Sequence, residues 1–456
     1  MARFKQKNSM DMTKGSTVRL MIAFALPILL SQTFQQLYNT ADAFIVGKAL
    51  GTDAFAAVSS SGNLTFLMIS FFMGLSLGAG VVISRYFGAN DADRVSKAIH
   101  TNIVVGLISS VLLTVVGTVF TPTFLSWMKV DPEVMPQAVS YYRVYFAGVS
   151  AMVMYNMLRG IMNALGDSQR PLYYLIFSSV INVILDILFV AVFHWGVWAA
   201  ALATVISQAA SVVLCLIHLL EKGNIYTVEW NKLRIDKEMF LEILHYGVPS
   251  GVQNSVIGFA NVIVQSEINS FGKIATAAYG AYSRLEGFAF LPITSFTMAI
   301  TTFISQNLGA GEYDRAKKGA RFGIWTAVIM AELVGVVFFV FAPSMIGWFD
   351  STESVMVLGA RQARIASLFY CLLAYSHSIA SVCRGAGKAV VPMAVMLSVW
   401  CVFRILYIKT VMALLGEIHW IYWAYPITWT ISSIVFMIYY YCSDWVHGFD
   451  KKTEKA

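Results

Sequence analysis

Ile83-Ser84-Arg85-Tyr86-Phe87-Gly88-Ala89-Asn90-Asp91-Ala92-Asp93-Arg94-Val95-Ser96-Lys97 recurs 221 residues later as Ile304-Ser305-Gln306-Asn307-Leu308-Gly309-Ala310-Gly311-Glu312-Tyr313-Asp314-Arg315-Ala316-Lys317-Lys318. The same offset pairs Pro122 with Pro343, Trp127 with Trp348, Val134 with Val355 and Met135 with Met356. Further on it pairs Arg143 with Arg364, Gly166 with Gly387 and Pro171 with Pro392. Agreement at one fixed offset over such a length marks an internal duplication. The chain is two copies of one unit.

Composition says what each copy is made of. The 456 residues are 58% hydrophobic and 12% charged, with a mean hydropathy of +0.67. A soluble domain is roughly half apolar and about a quarter charged, so these values describe an integral membrane protein. Apolar stretches of about 20 residues span a bilayer as helices, whereas barrel strands are shorter and strictly alternating. Twelve such stretches occur, at 22–47, 58–82, 99–121, 140–163, 172–193, 197–219, 246–271, 278–303, 322–345, 361–382, 390–415 and 420–442. The expected fold is therefore all-α, with two six-helix bundles. Six spans is an even number, so both copies enter the membrane in one orientation. Parallel repeats of this kind flank a substrate path about an axis along the membrane normal. The domains expected are an N-terminal lobe over 1–220, a cytoplasmic linker over 221–245, a C-terminal lobe over 246–442 and a cytoplasmic tail over 443–456.

Of the 32 Lys and Arg residues, 23 fall in the tails and in every second connection, among them Arg85, Arg94, Lys97, Lys222, Lys232, Arg234, Lys237, Lys317, Lys318, Lys451, Lys452 and Lys455. By the positive-inside rule both termini are cytoplasmic. Orientation thus accounts for the net charge of +7, and nucleic acid is not an expected partner. The apolar run after the basic start is too long for a cleaved signal and reads as the first span. Five cysteines, odd in number and without a Cys-x-x-Cys pair, read as small buried hydrophobes rather than disulfides or metal ligands. There is no phosphate loop of the Gly-x-x-x-x-Gly-Lys type and no His-Glu-x-x-His, so an ion gradient is the expected energy source.

Ionisable groups deep in the spans carry the functional reading. Asp42 and Asp186 lie in long apolar stretches, where a carboxylate is costly and usually marks an ion or proton pathway. Asn182 precedes Asp186 by one helical turn on the same face. Asn156, Thr204 and Gln36 are neutral oxygen donors in other spans of this half. Carboxylate, amide and hydroxyl oxygens suit Na⁺ and a proton relay equally, and the plain alternative is static hydrogen bonding between helices. At the repeat offset Asp186 meets Tyr407 and Asp42 meets about Ile263 or Val264, so neither acid has an acidic counterpart. An architectural role would appear twice; coupling is therefore expected in the N-terminal half. The second half offers Glu286, Glu332 and His377 to a substrate, with Arg284 or Arg404 as alternative structural partners for a buried Glu. Pro27 and Pro249 open the first span of each half, a position that permits a bend. Gly74-x-x-x-Gly78-x-Gly80 permits close helix approach.

These residues together resemble the multidrug and toxic compound extrusion family. The likeness spans essentially the whole chain. It rests on Pro27 with Gln36, Asn39-Thr40-Ala41-Asp42-x-x-x-x-Gly47, the 83–97 motif with its copy at 304–318, and Arg159-Gly160…Gly166-Asp167…Pro171. The resemblance implies a twelve-helix antiporter that exports bulky, often cationic organic compounds in exchange for H⁺ or Na⁺ by alternating access. It looks most like the branch whose coupling site lies in the N-terminal lobe, on Asp42, Asn182, Asp186 and Thr204 with Asn156 nearby. Another branch carries acids in the seventh and tenth spans, where this chain has Gln253, Asn254, Ile257 and His377. The expectation is an inner-membrane multidrug efflux antiporter rather than an enzyme, with no cofactor beyond the coupling ion. Its partners would be small organic molecules and membrane lipids, and the chain would work as a monomer. Gln36, Asn39, Glu286, Glu332 and His377 are candidates for the substrate cavity and Pro27 for a hinge. The rival readings are a flippase for a lipid-linked or polyprenyl-type precursor, and a lipid-acting membrane enzyme, for which no nucleophile–base or metal constellation is apparent.

Overall fold

The computed structural model describes residues 10–51, 54, 58, 61–127, 130, 132–221 and 227–449. Arg3, Lys5, Lys7, Lys222, Lys451, Lys452 and Lys455 lie outside them. Among the described residues the regular structure is entirely helical, in twelve successive rods. The first copy supplies α1 (Thr17–Leu50), α2 (Ser61–Gly88), α3 (Ala92–Trp127), α4 (Met135–Ala147 continued by Val149–Ala164), α5 (Gln169–Asp186 with a π-helical turn Ile187–Val192) and α6 (Val197–Leu220). The second supplies α7 (Lys237–Asn269), α8 (Lys273–Gly309), α9 (Tyr313–Gly347) and α10 (Glu353–Ser367 continued by Tyr370–Gly385). It ends with α11 (Val390–Leu414, its middle turn Leu397–Phe403 π-helical) and α12 (Ile418–Cys442).

Among the described residues nine helices are long and apolar enough to cross a membrane, ten if the two pieces of α10, bent by 52°, count as one span. Of the remaining rods, α4 is divided into pieces of 13 and 16 residues, each too short to cross alone, and α7 carries polar residues along its length. Helix is the only open-ended structure that satisfies every backbone amide internally in hydrocarbon. Val111, Val115 and Val119 leave an exposed apolar stripe on α3, and Val336 and Val340 leave the equivalent stripe on α9. Such faces suit lipid, not water.

The duplication recurs as geometry. Ser84 Oγ donates to Ala164 C=O at 3.0 Å, and its repeat mate Ser305 Oγ donates to Gly385 C=O at 2.8 Å. Gly166 and Gly387 hold φ of +86° and +75°, while Asn90 and Gly311 hold +60° and +76°. At Gly166 a Cβ would meet Met10 C=O at 2.2 Å, so both the backbone conformation and the neighbouring chain require glycine. In the first copy α2 packs on α3 and α4, α4 on α3 and α6, and α5 on α6; in the second α8, α9, α10, α11 and α12 repeat that pattern.

Packing divides the chain into two compact units that exchange half-helices. One holds Leu30–Gly251, and the other holds Met12–Leu29 together with the chain from Val252 onward. The first half of α1 thus belongs with the second unit and the first half of α7 with the first. In the first unit, Gly74 and Gly78 of α2 face Gly251 and Gly247 of α7. A Cβ at Gly74 would come within 2.1 Å of Gly251 N, and one at Gly78 within 2.3 Å of Gly247 N. Tyr86 Oη donates to Glu242 Oε2 at 3.0 Å, with Arg85 Nη1 3.8 Å from Glu242 Oε1. In the second unit the repeated motif grips the lead-in to α1. Gln306 Oε1 accepts Met12 N–H at 3.2 Å, and Arg315 donates to Met12 C=O at 3.0 Å and to Gly15 C=O at 2.6 Å.

The helix starts correct one expectation. Pro27 and Pro249 do not open their helices: α1 begins at Thr17 and α7 at Lys237, inside the segment expected to be linker. Polar first turns such as Lys237-Glu238 lower local hydropathy without opposing helix, so an apolar window starts too late. Both prolines are therefore interior, where each removes one i→i−4 hydrogen bond. Each lies just before the residue at which its helix passes from one unit to the other.

The glycine contact sets a test of stability. Gly78→Ala should destabilise the protein by about 1–3 kcal/mol through overpacking. Gly80→Ala, with nothing within 4 Å of its Cβ, should be neutral or slightly stabilising. Thermal unfolding in detergent distinguishes the two, and equal midpoints would remove the contact from the account.

Candidate functional site

α1 and α5 bring Asp42 and Asp186 together in the interior of the first unit. Asp42 is 7% exposed, and Asp186 and Asn182 are wholly buried. The two carboxyl groups lie close enough to interact directly. Asp186 is the last residue before the π-helical turn of α5, a type of interruption that recurs at functional sites. One turn before Asp42, Tyr38 accepts a hydrogen bond from Gln208 Nε2 at 3.3 Å. Tyr141 of α4 is near both acids and stacks on Tyr145 with ring centroids 6.2 Å apart.

Asn182 and Thr204 extend the cluster. Asn182 Nδ2 donates to Thr204 Oγ1 at 3.5 Å, and that hydroxyl donates to Ala200 C=O at 3.1 Å. What the cluster lacks is donors from elsewhere: Asp42 Oδ1, both Asp186 carboxyl oxygens and Asn182 Oδ1 are buried with no neighbouring donor, and the two carboxyl groups can bond each other only by sharing a proton. No Lys, Arg or His is among the groups acting on either acid. Two facing carboxylates in a low-dielectric interior repel strongly unless a proton or a cation lies between them. Among the described residues there is no group of three or more His, Cys, Asp or Glu side chains that could hold a metal. Two acids with an amide and a hydroxyl are the donor set of a proton or a hard monovalent cation, not of a transition metal.

The other expected residues have their own contacts. Asn156 Oδ1 accepts from Arg159 Nη2 at 3.0 Å while its Nδ2 donates to Met152 C=O at 2.9 Å, so the carboxamide is already engaged. On α1, Gln36 is half-buried and Asn39 is exposed. In the second unit Glu286 Oε1 accepts the Tyr282 hydroxyl at 2.6 Å. Glu332 Oε2 accepts the Cys371 N–H at 3.1 Å, in the first turn of the second piece of α10. His377 meets Phe290 and Trp400 edge-on at 5.8 and 5.3 Å. The three make separate local contacts and form no single constellation of this kind.

Arg404 is buried, donates to Thr428 Oγ1 at 2.9 Å, and lies over the rings of Trp400 and Tyr425 at 5.1 and 4.7 Å. It acts on Glu286 only through space, and Arg284 is exposed. Glu267 pairs with Lys409. Sequence reasoning missed Tyr38 and Tyr141 near the acids, and Gln208, which donates to Tyr38. Tyr38 carried a signal, its i−4 spacing from Asp42; the others carried none.

With this geometry in place, comparison with known proteins is informative. The MatE family model matches residues 27–188 and again 249–408. The chain belongs to the MatE family. The double match is the duplication itself. The chain is 29% identical over 442 residues to the Probable multidrug resistance protein YoeA of Bacillus subtilis (strain 168), covering 94% of each chain. It is 26% identical to the Probable multidrug resistance protein YpnP of the same organism, covering 95% of this chain and 97% of that one. It is 25% identical to the Multidrug export protein MepA of Staphylococcus aureus (strain NCTC 8325 / PS 47), covering 75% of this chain and 76% of MepA.

Solved structures share the fold. A MATE crystallised in complex with MaL6 superposes with a TM-score of 0.88 at 21% identity, covering 95% of this chain and 98% of that one. A MOP-superfamily transporter from Pyrococcus furiosus Vc1 (DSM3638), described as having a binding pocket of reverse polarity, superposes at 0.89 with 21% identity, covering 96% and 98%. This MatE-family chain is thus an all-helical, multi-pass membrane protein of the twelve-helix, two-bundle type.

The Glu332 contact gives a prediction. The carboxylate holds an otherwise orphan amide at a helix start, an arrangement worth about 1–2 kcal/mol. Glu332→Ala should lower thermal stability by that amount, while Glu332→Gln, which keeps an acceptor, should recover most of it. Equal losses in the two variants would show that the contact does not matter.

Proposed function

We propose that the chain is a secondary active multidrug efflux antiporter, exporting organic compounds, cationic ones included, in exchange for H⁺ or Na⁺. The observation that carries this reading is the set of buried carboxylate and amide oxygens at Asp42, Asp186 and Asn182 that have no donor. Such a set needs a cation or proton during its working cycle. The multidrug resistance and export names of YoeA, YpnP and MepA support the same class of cargo. The chain works in the inner membrane with both termini cytoplasmic, as a monomer, and changes its cargo's location rather than its chemistry. Thr204 contributes a hydroxyl oxygen to the ion. Asn156 joins only after release from Arg159.

Coupling follows α1. Binding of the ion at Asp42 and Asp186 relieves their repulsion and draws α1 toward α5. Pro27 lies fifteen residues before Asp42, about 22 Å along the helix, at a point lacking a backbone hydrogen bond. The helix bends there, and its two halves belong to different units, so the change at the acids becomes a movement of one unit against the other. The cargo is released as the pathway changes side.

The test uses the protein in sealed proteoliposomes, with a fluorescent organic cation and either a proton or a sodium gradient imposed. One gradient should drive movement of the cation, and the isosteric Asp42→Asn should reduce it to the rate of protein-free vesicles. Movement indifferent to both gradients, or intact in Asp42→Asn, sinks the antiport mechanism and favours a gradient-independent flippase of a lipid-linked precursor. The hinge is tested separately. Pro27→Ala restores the missing hydrogen bond and should slow exchange while leaving the concentration of coupling ion at half-maximal rate unchanged. Unaltered transport in that variant removes Pro27 from the mechanism.

A further inference from the structure

Apart from the acidic site, the first unit holds a cavity of about 530 Å³ between the start of α3 and the segment leading into α7. Nine of its ten lining residues are charged or polar, and the carbon atoms of those side chains make up most of the exposed wall. Asp93, Lys97 and His100 come from α3, and Glu229, Lys232 and Arg234 from the opposing strap, with Asp236 at its end.

The strap is held in place. His100, 2% exposed, accepts the Glu229 N–H at Nε2 at 3.0 Å, with its Nδ1 2.7 Å from Ser96 C=O. Thr101 Oγ1 accepts the Asp236 N–H at 3.0 Å. The charges are balanced, three acids against three cations. Lys97 pairs with Asp93 at 2.6 Å and Lys232 with Glu229 at 2.7 Å, the latter holding the Glu229 carboxyl below the usual carboxylate range. Among the described residues Arg234 forms no such pair with an acid, and it is the cation available to a ligand. A lining of zero net charge matches neither a simple anion nor a simple cation. It matches a molecule that carries both signs.

Location narrows the source. α3 has 36 residues, about 54 Å of helix, against a hydrocarbon core of about 30 Å. The cavity runs along the first nine residues of α3, from Ala92 to His100, up to the beginning of the apolar stretch at Ile99, where lipid head groups meet hydrocarbon. The strap also exposes Trp230 by 63% and Ile235 by 43%, beside Lys232 and Arg234. An exposed Trp among basic residues is the usual anchor at that depth.

We infer that this cavity binds the head group of a zwitterionic phospholipid carrying a phosphate and a primary ammonium. The phosphate is taken by Arg234, whose guanidinium donors suit it, and Lys97 turns from Asp93 to join it. The ammonium is taken by the Asp93 carboxylate that Lys97 leaves and by Asp236, one oxygen of which already accepts the Met239 N–H. Among the described residues the cavity is lined by no Trp, Tyr or Phe ring, and both His100 nitrogens are engaged, so a quaternary ammonium lacks the cage it prefers. The strap bridges α3 to α7, so an occupied cavity ties together elements that the first unit holds rigid.

The experiment uses the full chain, purified in detergent and supplied with phosphatidylethanolamine, phosphatidylcholine or phosphatidylglycerol at equal concentration. Native mass spectrometry counts retained lipid, and thermal unfolding reports stabilisation. Phosphatidylethanolamine should be retained above the other two and raise the unfolding midpoint. Arg234→Gln, an exposed substitution, should weaken that retention about tenfold, as loss of one charge-assisted contact does. Equal retention of phosphatidylglycerol or phosphatidylcholine overturns the zwitterionic assignment. Undiminished retention in Arg234→Gln overturns the location. If soluble glycerophosphoethanolamine stabilises the protein as well as the lipid does, the occupant is a free metabolite and the lipid source is wrong. None of these outcomes depends on the coupling ion or the cargo.

Discussion

Hydrocarbon offers no partner to a backbone amide, and that constraint determines where this protein can be irregular. A helix in lipid can be interrupted only where a neighbouring group repairs the break. α10 breaks near Phe369, and Glu332 accepts an amide of the piece that follows. α4 breaks at Gly148, whose N–H reaches both Val144 and Tyr145 carbonyls at 3.2 Å. The two breaks are repeat equivalents. The π-helical turns of α5 and α11, and the prolines of α1 and α7, are further departures from regular helix. Asp186 directly precedes one of these turns, and Pro27 lies on the same helix as Asp42.

The exchange of half-helices gives those interruptions mechanical meaning. Unit 1 keeps the start of α7 through glycine-to-glycine backbone contact and the Tyr86–Glu242–Arg85 cluster. The other unit keeps the start of α1 through Gln306 and Arg315 on backbone carbonyls and amides. The repeated motif therefore does one job twice, with different chemistry: ionic side chains in one copy, backbone groups in the other. Duplication conserved the fold of the motif and let its contacts diverge.

The same divergence separates the two interiors. The first unit concentrates two acids without a cation. The second has a buried arginine stacked on aromatic rings, with Glu286 engaged by a tyrosine hydroxyl. In low dielectric the first arrangement is electrostatically unbalanced, while in the second Arg404 and Glu286 offset each other through space. A duplicated scaffold thus carries its uncompensated acids in one copy alone.

Much of this was legible in the residues. Apolar stretches of bilayer length and the repeat at one offset determined twelve helices in two similar bundles, because hydrophobic thickness and insertion parity leave few alternatives. Asp42, Asp186, Asn182 and Thr204 stood out because a polar group in hydrocarbon needs a reason, and the fold does bring them together. Helix starts were misjudged, since a polar first turn is helical yet not apolar, and so Pro27 and Pro249 proved interior. Tertiary structure alone decided that Tyr141 lies near the acids, that Gln208 reaches Tyr38, that Asn156 is held by Arg159, and that Glu332 serves a backbone amide. It also decided which half of α1 and α7 belongs to which unit. Hydropathy and spacing are properties of one segment at a time; which donors reach a buried oxygen depends on packing between segments far apart in the chain.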